Sequence, residues 1–106
     1  MARREYDKLV RDRIPEIIEN TGSRPFCDVL DAEESAEYLA RKLAEEAKEY
    51  IESRELEELA DVMEVVRGIL HHRGVEWDEL EVIRLRKYAE RGGFEGGIRL
   101  IAVEDE

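Results

Sequence analysis

Cysteine is almost missing from this sequence. Cys27 is the only one, so no intrachain disulfide can form. Long apolar runs are missing too. Nothing approaches a membrane span, and the opening stretch MARREYDKLVRDR has no apolar signal core, so a cytoplasmic protein is expected. Glutamine is absent and Asn20 is the only asparagine, while Glu and Arg abound, a bias that suits an ion-pair-rich thermophile surface. Histidine is limited to His71 and His72, and neither has a glutamate three residues before it. That does not suit a di-iron carboxylate site built on Glu-x-x-His pairs. Both read instead as helix C-terminal residues that favour the dipole. Positive charge is in deficit, with a formal net charge of −11. Such a chain repels nucleic-acid backbone and anionic membrane, so neither is expected as a partner. An anionic small molecule can bind only where metal ions mask the acid. Apolar surface is limited as well, because 42% of the 106 residues are charged. One domain spanning 1–106 is the default, and an oligomer, most simply a homodimer, is expected.

What the sequence does contain is helical periodicity. A short helix is predicted from Pro15 to Asn20, with Gly22 as its stop. Residues 23–30 read as an extended loop or short strand. Asp31-x-x-Glu34 forms a capping box for a helix from about Ala32 to Ile51. Its apolar stripe is Leu39, Leu43 and Tyr50. Ser53 is placed to cap a third helix from about Glu55 to Arg73, which Gly74 ends. That helix is apolar over a broad arc (Leu56, Leu59, Val62, Met63, Val65, Val66, Ile69, Leu70), which predicts burial on more than one side. A fourth helix runs from about Glu76 to Arg91. Phe94 to Val103 holds Gly96-Gly97 and then IRLIAV (Ile98 to Val103), which reads as a short strand that could pair with residues 26–30 in a small C-terminal β ribbon. The expected fold is therefore mainly α, an antiparallel helix bundle with that ribbon attached.

Two acidic clusters, Glu45-Glu46-x-x-Glu49 and Glu57-Glu58-x-x-Asp61, stand symmetrically about Ser53–Arg54. A chain reversal there sets Glu46 level with Asp61 and Glu49 level with Glu58. At 100° per residue Glu46 falls inside the apolar stripe, between Leu43 and Tyr50, and Glu58 shares a face with Val62, Val65 and Ile69. A lone EExxE in so acidic a chain is as readily a solvated helix face. Acids that invade apolar stripes, twice and in mirror positions, need a cation. Glu46, Glu49, Glu58 and Asp61 are accordingly the expected metal ligands, and all-oxygen ligation favours Mg²⁺, or Mn²⁺, over zinc.

These residues resemble the all-α nucleoside triphosphate pyrophosphohydrolase superfamily, which includes the MazG proteins, dimeric dUTPases and phosphoribosyl-ATP pyrophosphohydrolases. Its EExxE…ExxD pattern is matched by Glu45, Glu46, Glu49, Glu58 and Asp61. A phosphoribosyl-ATP pyrophosphohydrolase-like subgroup is closer still. Its motifs correspond here to KLVRDRIPE (Lys8 to Glu16), KLxEE (Lys42 to Glu46), ELADVxEV (Glu58 to Val65) and K-x-x-x-RGGF (Lys87 to Phe94). The interval between the clusters is shorter than in many MazG proteins, and the hairpin symmetry accommodates it. The resemblance implies a largely helical fold, Mg²⁺ dependence, and hydrolysis between the α- and β-phosphates of a nucleotide to a monophosphate and pyrophosphate. Glu45 and Glu46 are then the expected catalytic carboxylates, with Glu45 orienting the water or a ligand. Lys87 and Arg91, and Lys8 and Arg11, are the expected phosphate contacts. On spacing alone the first two belong more readily to a solvated basic stripe, and the second two as readily to ion pairs with surplus acid. Trp77, Tyr88 and Phe94 could stack on a base, but core packing is the expected role of each. The rival expectation is a non-catalytic helical dimerisation module that binds nucleotide or metal.

Overall fold

A computed structural model describes residues 2–105 and contains four helices: α1 (Ile14–Asn20), α2 (Ala32–Ser53), α3 (Leu56–Arg73) and α4 (Trp77–Arg91). The chain divides into two compact units between Val75 and Glu76. No described helix is long and apolar enough to cross a membrane.

The first unit is organised by the α2–α3 hairpin. The predicted capping box starts α2. The Glu34 N–H donates to Asp31 Oδ1 at 2.8 Å, and the Asp31 N–H donates back to Glu34 Oε1 at 3.3 Å. Two orphan amides at the helix start are thereby satisfied. The helix runs to Ser53, two residues beyond the expected end, and stops at Arg54, which takes a left-handed φ of 60°. That conformation normally favours glycine. Arg54 holds it by donating its N–H to the Tyr50 carbonyl and its Nε to the Ile51 carbonyl, both at 2.8 Å. Glu55, not Ser53, is the N-cap of α3; Ser53 Oγ only accepts the Glu55 N–H at 3.2 Å. Gly74, at φ 66°, closes α3 as expected.

The two helices pack closely at Gly68. A methyl group there would lie 3.2 Å from Leu39 Cδ2, so the glycine lets α2 approach. Leu39 and Gly68 are equidistant from the Ser53–Arg54 reversal, as are Glu46 and Asp61. The antiparallel register anticipated for the acids thus extends along the pair. α1 starts at Ile14, one residue before the expected Pro15, which sits in its first turn, and Thr21 Oγ1 donates to the Ile18 carbonyl at 2.6 Å at its C-terminal end.

Burial is sparse. Among the described residues Val65 is the only buried apolar side chain, and Glu46 the only buried charged one. The broad arc of α3 is covered only in part: Val62, Val66, Ile69 and Leu70 are half-buried, while Leu56, Leu59 and Met63 are exposed.

The second unit contains α4, capped by a reciprocal Glu76–Glu79 box and ended by Gly92 at φ 79°. The expected β ribbon is absent: no strand occurs among the described residues. Phe94 to Gly97 make a turn, and Ile98, Leu100 and Ile101 are exposed. Residues 26–30 form no regular structure, and Phe26 instead sits against the Arg3 and Arg24 guanidiniums, each 4.9 Å from its ring centre. A two-stranded ribbon is marginal in water without an apolar face to rest on, and neither segment has one.

Candidate metal centre

Glu46 and Glu49 project from α2, Glu58 and Asp61 from α3. One carboxylate oxygen from each lies within 4.8 Å of all the others. The hairpin register produces this directly, because each helix contributes two acids one turn apart on the face toward its neighbour.

Glu46 is the most constrained of the four. It is 7% exposed, and its Oε2 has no hydrogen-bond partner. Its Oε1 has only Lys42 Nζ, at 3.4 Å. Burial, followed by the negative charge of Glu49, raises its pKa above the ordinary carboxylate range. A buried carboxylate oxygen without a partner is costly, and a cation among the four acids would satisfy it.

Four carboxylates are a hard, all-oxygen donor set, which fits Mg²⁺ or Mn²⁺. Opposite ligands of one Mg²⁺ stand about 4.2 Å apart. The 4.8 Å span therefore needs only small side-chain adjustments or a retained water to fit the ion. A cleft of about 260 Å³ opens onto Glu46, Glu49 and Asp61, with Val10, Ile14, Arg11 and Lys42 completing its wall.

The predicted cations and the remaining acid divide as follows. Arg11 reaches the centre, donating from Nη2 to Asp61 Oδ1 at 2.8 Å. Lys8 reaches Glu45 instead, with Nζ 2.6 Å from Oε1. Glu45 stands apart from the quartet. Its second oxygen faces Lys42 at 3.6 Å, and the Lys8 hydrogen bond, ahead of the Lys42 charge, holds its pKa below the usual range. Lys8 is raised in turn, chiefly by Glu45. Lys87 and Arg91 lie one turn apart on α4, both exposed, and the quartet assembles within the first unit without them. Their neighbour Arg84 is paired with Glu81.

Two features escaped the reading of the chain. Lys42 stands between Glu45 and Glu46, although its spacing (three and four residues before them) carries the signal. Tyr38 donates its hydroxyl to Asp7 Oδ1 at 2.6 Å and so ties the segment before α1 to α2; nothing local in the sequence marks that pair.

No family model, curated protein or solved structure matches the chain.

Proposed function

We propose that this chain is a Mg²⁺-dependent nucleotide pyrophosphohydrolase that cleaves between the α- and β-phosphates. The observation that carries the reading is the buried Glu46 oxygen, unpartnered within a quartet of carboxylates from two helices. The motif resemblance supports the same reading. Glu46, Glu49, Glu58 and Asp61 would hold the metal. When bound it supplies charge neutralisation and water activation. In the reaction the α–β phosphoanhydride bond breaks, and water provides the oxygen that replaces it. The water's protons end on the products or in solvent.

The chain's own residues orient the substrate. Arg11, hydrogen-bonded to Asp61 at the edge of the quartet, would contact a phosphate oxygen. Glu45 is a poor proton acceptor beside Lys8; its contribution is to aim Lys8 and Lys42. Lys87 and Arg91 are proposed as further cations for the developing charge. A homodimer is part of the proposal, because the exposed arc of α3 is a contiguous apolar surface of the kind soluble monomers seldom leave open.

The test is pyrophosphate release from a panel of nucleoside triphosphates with and without Mg²⁺. Glu46→Gln, Glu49→Gln, Glu58→Gln and Asp61→Asn should each nearly abolish it. Wild-type turnover in two of the four at saturating Mg²⁺ would remove the metal assignment. Metal binding with no release from any triphosphate would favour the non-catalytic module, for which the exposed α3 face is the supporting observation.

A further inference from the structure

Lys42 stands where two clefts meet. One is the metal cleft, in which Glu46, Glu49 and Asp61 outnumber Arg11 and Lys42. The other, about 190 Å³, lies between the segment before α1 and α2, and there Lys8, Arg41 and Lys42 outnumber Asp7 and Glu45. The sign of the lining charge therefore reverses across Lys42. An anionic chain anchored on metal at the first cleft continues downhill into the second.

Among the cations that line the two clefts, Lys42 also has the loosest pairing. Its side chain is 20% exposed, yet its ammonium is 3.4 Å from Glu46 and 3.6 Å from Glu45. Charge-assisted hydrogen bonds run at about 2.7–2.9 Å. Lys8 and Arg41 reach that range or less, at 2.6 Å from Glu45 and 2.7 Å from Glu37. Once a metal claims Glu46, Lys42 keeps one distant partner while largely buried, and a new anion becomes its best neighbour. The second cleft is smaller than the roughly 300 Å³ at which pockets for drug-sized ligands begin. It suits a small phosphate group and not a nucleoside.

We infer that Lys42 holds the leaving pyrophosphate and that the cleft beyond it receives that group. The chain thereby selects substrates that release inorganic pyrophosphate over those whose leaving group carries a nucleoside. This rests on the pyrophosphohydrolase reading and adds to it a direction for the phosphate chain and a selectivity.

The experiment titrates Mg²⁺-saturated protein with inorganic pyrophosphate in a calorimeter. Lys42→Met should weaken pyrophosphate binding tenfold or more while Mg²⁺ affinity holds or tightens, and Lys42→Arg should recover part of the loss. Lys48→Met, an exposed change on the same helix, should do neither. On the wild-type chain, adenosine triphosphate should be cleaved at least tenfold faster than a dinucleoside diphosphate, a comparison that needs no variant to fold. Pyrophosphate affinity within twofold of wild type in Lys42→Met, or equal rates on the two substrates, overturns the inference. If those results come with Mg²⁺-dependent pyrophosphate release, the inference falls and the pyrophosphohydrolase reading stands. If the wild type binds no Mg²⁺ and releases no pyrophosphate, both fall.

Discussion

Replacing Glu46 with glutamine should make the metal-free protein more stable and the metal-loaded protein less stable. In the metal-free chain Glu46 is 93% buried, one of its oxygens is unpartnered, and Glu49 repels it. Glutamine removes the charge and keeps a carbonyl that accepts from Lys42. It also gains an amide that can donate to Glu49 or Asp61. Relief of one unsatisfied buried group is worth on the order of 1 kcal/mol. For a small domain that raises the melting temperature by roughly 4–8 °C. With metal the order inverts. A ligand at roughly a hundred times its Kd stabilises the folded state by about 2.7 kcal/mol. A quartet missing one carboxylate forfeits most of that. Thermal unfolding of both proteins at one fixed protein concentration, in chelator and in excess Mg²⁺, reads both arms. A variant less stable than wild type in chelator refutes the account of Glu46 as an unsatisfied buried charge. A variant stabilised by Mg²⁺ as much as wild type refutes its role as a ligand.

The same carboxyl has a pH signature. Its folded-state pKa is raised, so the folded chain binds that proton more tightly than the unfolded chain. Its contribution is fully present below the unfolded-state carboxylate pKa and is lost as pH rises through the raised value. Metal-free wild type should lose stability relative to Glu46→Gln across that window, measured by urea midpoints; a constant difference contradicts the shift. Glu45 works in the opposite sense. Its lowered pKa gives stability present above the unfolded-state value and lost as pH falls through the lowered one, so Glu45→Gln should flatten the acid limb of the same curves. Light scattering over a dilution series should show no folded, active species of 12.4 kDa, and Met63→Asp, on the exposed arc of α3, should yield an inactive monomer; an active wild-type monomer or an aspartate variant that still assembles argues against an α3-centred assembly. Gly68→Leu should destabilise by roughly 1–3 kcal/mol through overpacking against Leu39, while wild-type stability would mean that the two helices do not meet there.

Much of the site was legible because it is local. A helix turns 100° per residue whatever surrounds it, so EExxE and ExxD each put their acids on a known face. A short polar interval between two helices leaves a hairpin as the simplest path. Those two facts were enough to pair Glu46 with Asp61 and Glu49 with Glu58. The capping box at Asp31 and the stops at Gly22 and Gly74 were readable for the same reason. Tertiary structure decided what depends on the depth and angle of packing. Glu45 and Glu46 are neighbours in sequence, yet one pairs with Lys8 at the rim and the other is buried without a partner for its Oε2. Arg11 is 50 residues from Asp61, and no periodicity relates them. The ribbon was misread because a strand is stable only with a partner, and the apolar run IRLIAV says nothing of whether one is present. Nothing local in the sequence marks Gly68; only the approach of Leu39 gives it a purpose. Local geometry is written into the chain one turn at a time. Which of two adjacent carboxylates loses its water is settled only when the helices close on each other.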